Sequence, residues 1–119
     1  MKNKIYIVDD DESICRALKL LMTACGFMTE AFLSAEAFFK AVPHNSPGCL
    51  ILDIYMPGLS GWDAQQLIKA ESKRSVIIIS GDTNGDLKSR ALKAGAIGFL
   101  QKPFNDQELI DLVNQKCCY

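Results

Sequence analysis

"CLILD", residues 49–53, is an unbroken apolar run that stops at an aspartate. "SVIIIS", residues 75–80, is its counterpart, four β-branched apolar residues between two serines. Neither alternates apolar with polar. A strand with one wet face alternates, whereas a strand covered on both faces does not. Two such runs place helices on each side of a mostly parallel sheet.

The segments on either side fit that frame. "KIYIV" (4–8) is a short β-branched strand, and "FMTEAF" (27–32) alternates weakly and reads as a second. "IGFLQ" (97–101) reads as a fifth. Between them lie helical patterns. Ile14, Ala17, Leu18, Leu21 and Cys25 recur at helical spacing before Gly26, a C-terminal glycine stop. Ser34 is an N-cap for 34–42, with Ala37, Phe38 and Ala41 on one face. "GWDAQQLIKAES" (61–72) turns Ala64, Leu67 and Ile68 inward. Leu87, Ala91 and Ala94 mark a helix ended by Gly95, and Asn105 caps a last one carrying Leu109, Leu112 and Val113. The result is an α/β chain of five β–α units, joined by right-handed crossovers as parallel strands require.

Ligands in such sheets bind beyond the carboxyl ends of the strands. Asp9, Asp10 and Asp11 follow the first strand, Asp53 ends the third, Ser80 ends the fourth and Lys102 follows the fifth. Carboxylates crowded together repel, and a divalent cation relieves them. Hard oxygen donors suit Mg²⁺. A carboxylate, Mg²⁺ and a lysine around one point can carry phosphoryl transfer, with the carboxylate as nucleophile.

The rest of the sequence narrows the class by exclusion. At 119 residues the chain suits one domain spanning 1–119. A net charge of −1 gives no bulk attraction to nucleic acid or membranes. No apolar run reaches the ~18–20 residues of a membrane span, and there is no signal-peptide pattern, so a cytoplasmic location is expected. The five cysteines show no CxxC pair and no zinc spacing. Cys15, Cys25 and Cys49 read as small core residues, while Cys117 and Cys118 sit near the chain end, open to oxidation. His44 falls in a loop, "PHNSPG".

Four pieces, "VDDDES", "ILDIYMPGLSGWD", "IIISGD" and "KAGAIGFLQKPF", lie in the order and spacing of a known family. The chain resembles a response-regulator receiver domain of two-component signalling. That resemblance implies a doubly wound, flavodoxin-like five-stranded sheet of order 2-1-3-4-5. It implies that Asp53 accepts a phosphoryl group from a sensor histidine kinase or phosphotransfer protein. It gives Asp10 and Asp53 as direct Mg²⁺ ligands, the Tyr55 backbone carbonyl as another, and Asp9 acting through water. Lys102 pairs with the phosphate, Ser80 follows the phosphoryl group, and Phe99 swings inward on activation. The Lys102–Pro103 bond is expected to be cis. Asp11 and Glu12 take no site role and favour the helix N-terminus. The face made by the helix over 86–94, the fifth strand and the helix over 105–116 is expected to dimerise or dock an output. "KAGAIGFLQKPF" is most similar to receivers joined to LuxR-type helix-turn-helix domains, so any DNA contact would come through such a domain. Such a chain is a switch rather than an enzyme with a separate substrate.

Taken singly, each residue has a plainer explanation. Asp9–Glu12 can be an acidic helix cap, Lys102 a surface lysine and Phe99 core packing. Only their joint placement at strand ends outweighs this. Two positions depart from the family's habit: Tyr55 is bulky, and Asp82 puts an acid two residues after Ser80. Met56 and Trp62 read as packing near the loop after the third strand. Three rivals stand beside the main reading. A haloacid-dehalogenase-type phosphatase would use "DDDES" but leaves Asp53 before "YMPG" unexplained. A nucleotide-binding module needs a glycine-rich loop where this chain has carboxylates. A degenerate receiver would serve only as an interaction surface.

Overall fold

The computed structural model describes residues 4–43, 46–53, 74–81 and 85–117. Tyr55, Met56, Asp82, His44, Cys118 and the helix expected over 61–72 with Trp62 lie outside the described residues. The elements run β1 (Ile5–Val8), α1 (Glu12–Ala24), β2 (Thr29–Phe32), α2 (Ala35–Ala41), β3 (Gly48–Asp53) and β4 (Arg74–Ser80). They continue with α3 (Gly85–Ala94), β5 (Gly98–Gln101) and α4 (Asp106–Lys116).

The strands form one parallel sheet in the order β2-β1-β3-β4-β5. β3 and β4 lie at its middle, and every described residue of β3 is buried, as the unbroken apolar run requires. Alternation along each strand divides the core in two. Tyr6, Val8, Leu50, Leu52, Val76 and Ile78 face α2 and α3 through Phe38 and Ala91. Ile5, Ile7, Cys49, Ile51, Ile77 and Ile79 face α1 and α4 through Leu18, Met22, Leu109 and Val113. Full burial of one such side chain contributes about 1.5–3 kcal/mol.

Several boundaries and faces differ from the sequence expectation. The second strand starts at Thr29 rather than at residue 27. Gly26 takes φ 92° and its N–H donates to Thr23 O, while Phe27 N–H donates to Met22 O. That pair of bonds closes the end of α1, so Phe27 is spent on the cap before the ladder begins. On α1, Leu18 is buried and Ile14, Leu21 and Cys25 pack against the core as expected, Cys15 and Met22 join them, and Ala17 is exposed. In α2 the buried positions are Phe38 and, just past the helix, Val42, with Ala37 and Ala41 exposed. In both helices the larger side chain beside each alanine, Leu18, Phe38 or Val42, takes the core and the alanine turns out.

Cysteine is corrected too. Cys49 and Cys117 form a disulfide, with Cα atoms 6.0 Å apart and a separation of 68 positions in sequence. Cys15 and Cys25 are not in a disulfide, the first buried and the second half-buried, in line with the expectation for them.

Candidate functional site

β1 and β3 are neighbours, with Val8 paired to Leu52, so the residues that follow them meet. Asp9 and Asp53 are 2% and 5% exposed, and Asp10 is exposed. Carboxylate oxygens of these three lie within 4.8 Å of one another. Asp11 caps α1, its side chain accepting from the Ser13 and Ile14 N–H groups, and Glu12 opens the helix. Asp9 Oδ1 in turn accepts from Asp11 N–H at 2.9 Å. The four acids of "DDDE" thus divide their work: two shape the turn into α1, and two face Asp53 across the sheet edge.

Lys102 arrives from the far side. Its backbone N–H donates to Ser80 O at 2.7 Å, and the Lys102–Pro103 bond is cis, as expected. The ammonium reaches Asp53 Oδ2 at 3.2 Å and Asp9 Oδ2 at 3.5 Å. Burial pushes the Asp9 carboxyl up to about 6, and the charge of Asp53 adds to the rise against the Asp11 N–H and Lys102. Burial pulls the Lys102 ammonium down, but Asp53 and Asp9 outweigh it and hold its pKa above the usual lysine value. Among the described residues three carboxylates therefore cluster here, and the two shielded from water, Asp9 and Asp53, share the Lys102 ammonium. A hard divalent cation fits this all-oxygen, over-acidic set.

Ser80 is fully buried at the end of β4. Phe99 on β5 pairs with Ile78 and packs, partly buried, against the cluster on the α2 and α3 side. Ser80 lies two residues beyond Ile78, so Ser80 and Phe99 share that face of the sheet. Phe99 also lines a groove of about 430 Å³ with Lys88, Leu100, Glu108, Asp111 and Leu112, between α3, β5 and α4. Tyr55, expected to offer a carbonyl, is outside the described residues.

Two structural supports escaped the sequence reading. The Cys15 thiol donates to Asp9 O at 3.2 Å, bracing the turn that carries Asp9 and Asp10. Arg74 is buried at the start of β4, where it donates to Ser46 O and Pro43 O and lies over the Tyr6 and Phe38 rings. An arginine beside an apolar run reads in sequence as a boundary, and nothing local shows the carbonyls it will meet.

No described helix is long and apolar enough to cross a membrane. Residues 5–114 match the family model described as the response regulator receiver domain. The response regulator protein TodT of Pseudomonas putida is 40% identical over 110 residues, covering 92% of this chain and 48% of that protein. The transcriptional regulatory protein FixJ of Bradyrhizobium diazoefficiens is 37% identical over 113 residues, covering 94% and 55%. The solved structure of the response regulator StyR aligns with a TM-score of 0.85 at 37% identity, covering 98% of this chain and 60% of that one. The chain spans about half the length of the curated relatives it matches. The family match begins at the first strand and runs into the last helix, so no strand of the sheet falls outside it, and the chain belongs to the response-regulator receiver domains of two-component signalling.

Proposed function

We propose that Asp53 accepts a phosphoryl group from the phosphohistidine of a sensor kinase or phosphotransfer protein, and that residues 1–119 act as a single receiver switch. The observation that carries this is the meeting of Asp53 with the Lys102 ammonium at 3.2 Å and with the Asp9 and Asp10 carboxylates inside 4.8 Å. An Asp53 carboxylate oxygen attacks phosphorus. The P–O bond forms as the P–N bond breaks, and the imidazole leaves with the electron pair. Lys102 neutralises charge on the transferred group. Ser80, buried at the neighbouring strand end, donates its hydroxyl to a phosphoryl oxygen. Asp10 and Asp53 would hold Mg²⁺ directly, the Tyr55 carbonyl would complete the protein's share, and Asp9 would act through water. The ion supplies further charge neutralisation on the phosphoryl oxygens.

The output we assign is transcription, from the likeness to FixJ, a transcriptional regulator by name. DNA contact in that reading comes through other segments than the receiver, whose net charge is −1. A phosphorylation-dependent homodimer through the groove of Phe99 and a cytoplasmic location belong to the same proposal. The test is incubation with acetyl phosphate and Mg²⁺ followed by intact mass. Wild type gains one phosphoryl group and Asp53→Asn does not. A chain that gains none would be an interaction module instead, and an Asp53→Asn variant that gains it at the wild-type rate would move the acceptor elsewhere.

A further inference from the structure

We propose that Cys49 and Cys117 are a reversible redox staple, closed by thiol–disulfide exchange with a low-molecular-weight disulfide and opened by a thiol reductant. The two residues are mismatched in a useful way. Cys49 lies in β3, a central strand paired on both sides. Cys117 caps the end of α4, where Asn114, Gln115 and Lys116 are all exposed and only Val113 and Cys117 turn inward. One sulfur sits on a rigid wall and the other on a helix end that can lift away. Both are fully buried in the cluster of Ile5, Met22, Phe27, Leu109 and Val113. Two thiols are also small apolar groups and suit that cluster as well as the disulfide does. The Cα separation of 6.0 Å is ordinary for a disulfide, so closing it needs no rearrangement of the sheet.

One cysteine thiolate attacks the small disulfide, forms a mixed disulfide and releases one small thiol. The second cysteine thiolate attacks the mixed disulfide, forms the Cys49–Cys117 bond and releases the second. Two protein thiols lose two protons and two electrons, and the small disulfide gains them. Reducing compartments keep such pairs open and oxidising ones close them. Closure ties α4, one wall of the groove beside Phe99, to the strand that ends in Asp53.

The test takes the chain reduced with dithiothreitol and then exposes it to oxidised glutathione. The closed form is lighter than the reduced form by two hydrogens. Non-reducing trypsin digestion joins residues 41–69 to residues 117–119. Closure raises Tm by about 10 °C or more and slows hydrogen exchange over 114–117. Cys118→Ala keeps the link and the Tm rise. Cys117→Ala and Cys49→Ala lose both. The proposal is overturned if Tm in wild type ignores the reductant, or if Cys118→Ala abolishes the link.

Discussion

Asp9 is an uncomfortable group, a buried carboxyl held at about 6 beside a second buried carboxylate. In an unfolded chain it would titrate near 3.9. Between those values the folded state binds more protons than the unfolded one. Stability without Mg²⁺ therefore falls as pH rises from about 4 to about 6, by up to about 3 kcal/mol from this group alone. Urea melts across that range should show the fall in wild type and a flatter profile in Asp9→Asn. Asp10 is exposed, so Asp10→Asn should leave the apo fold intact. It should still weaken Mg²⁺ binding about tenfold or more, measured by calorimetry. Arg74 makes the opposite case, a buried charge that is fully engaged. Arg74→Lys keeps the charge but loses the planar fork over Tyr6 and Phe38, and a cost of about 1–2 kcal/mol should appear in the same melts. Asp9, Asp10, Asp53 and Lys102 were legible in sequence because each sits beside a strand end. Arg74 and the brace from Cys15 were not, because their partners are backbone carbonyls that come near only in the folded sheet.

Strands and helices were legible unevenly. The β-branched runs of β3 and β4 declared themselves, because two-sided burial leaves no other pattern. The helix faces of α1 and α2 came out right for their larger residues, Leu18 and Phe38 among them, and wrong for Ala17, Ala37 and Ala41, since alanine fits either side and the larger neighbour decides. The turn into β3 shows a constraint that composition hides. Gly48 holds φ 152°, and a Cβ there would stand 2.8 Å from Lys4 O and 2.8 Å from the Tyr6 ring. Gly48→Ala should cost about 2 kcal/mol or more, read as a lowered urea midpoint. Phe99 belongs to the opposite end of the sheet. It shares a face with Ser80, and in the proposed switch it would fill space that Ser80 vacates. With no hydroxyl, it would act through packing alone. Phe99→Ala should keep Asp53 phosphorylation near the wild-type rate but reduce the self-association that beryllium fluoride induces. Sedimentation with and without that mimic decides it, and an unchanged shift in the variant would remove Phe99 from the switch.

A parallel sheet with right-handed crossovers was readable from the alternation of strands and helices, while its order, 2-1-3-4-5, came from the resemblance to receiver domains and is the order observed. The Cys49–Cys117 bond was not readable, because closing it depends on where α4 comes to rest, 68 residues downstream. The site itself shares that dependence on the complete molecule. Lys102 and Asp53 are 49 residues apart in sequence, and Asp9 comes from yet another strand. No hairpin or single β–α unit of this chain holds an acceptor, its ammonium and its acidic partners together. If Asp53 takes a phosphoryl group as proposed, that competence is a certificate of completed folding. On that proposal, a nascent chain on the ribosome, or one partly unravelled by heat, would draw nothing from a kinase and send no false message.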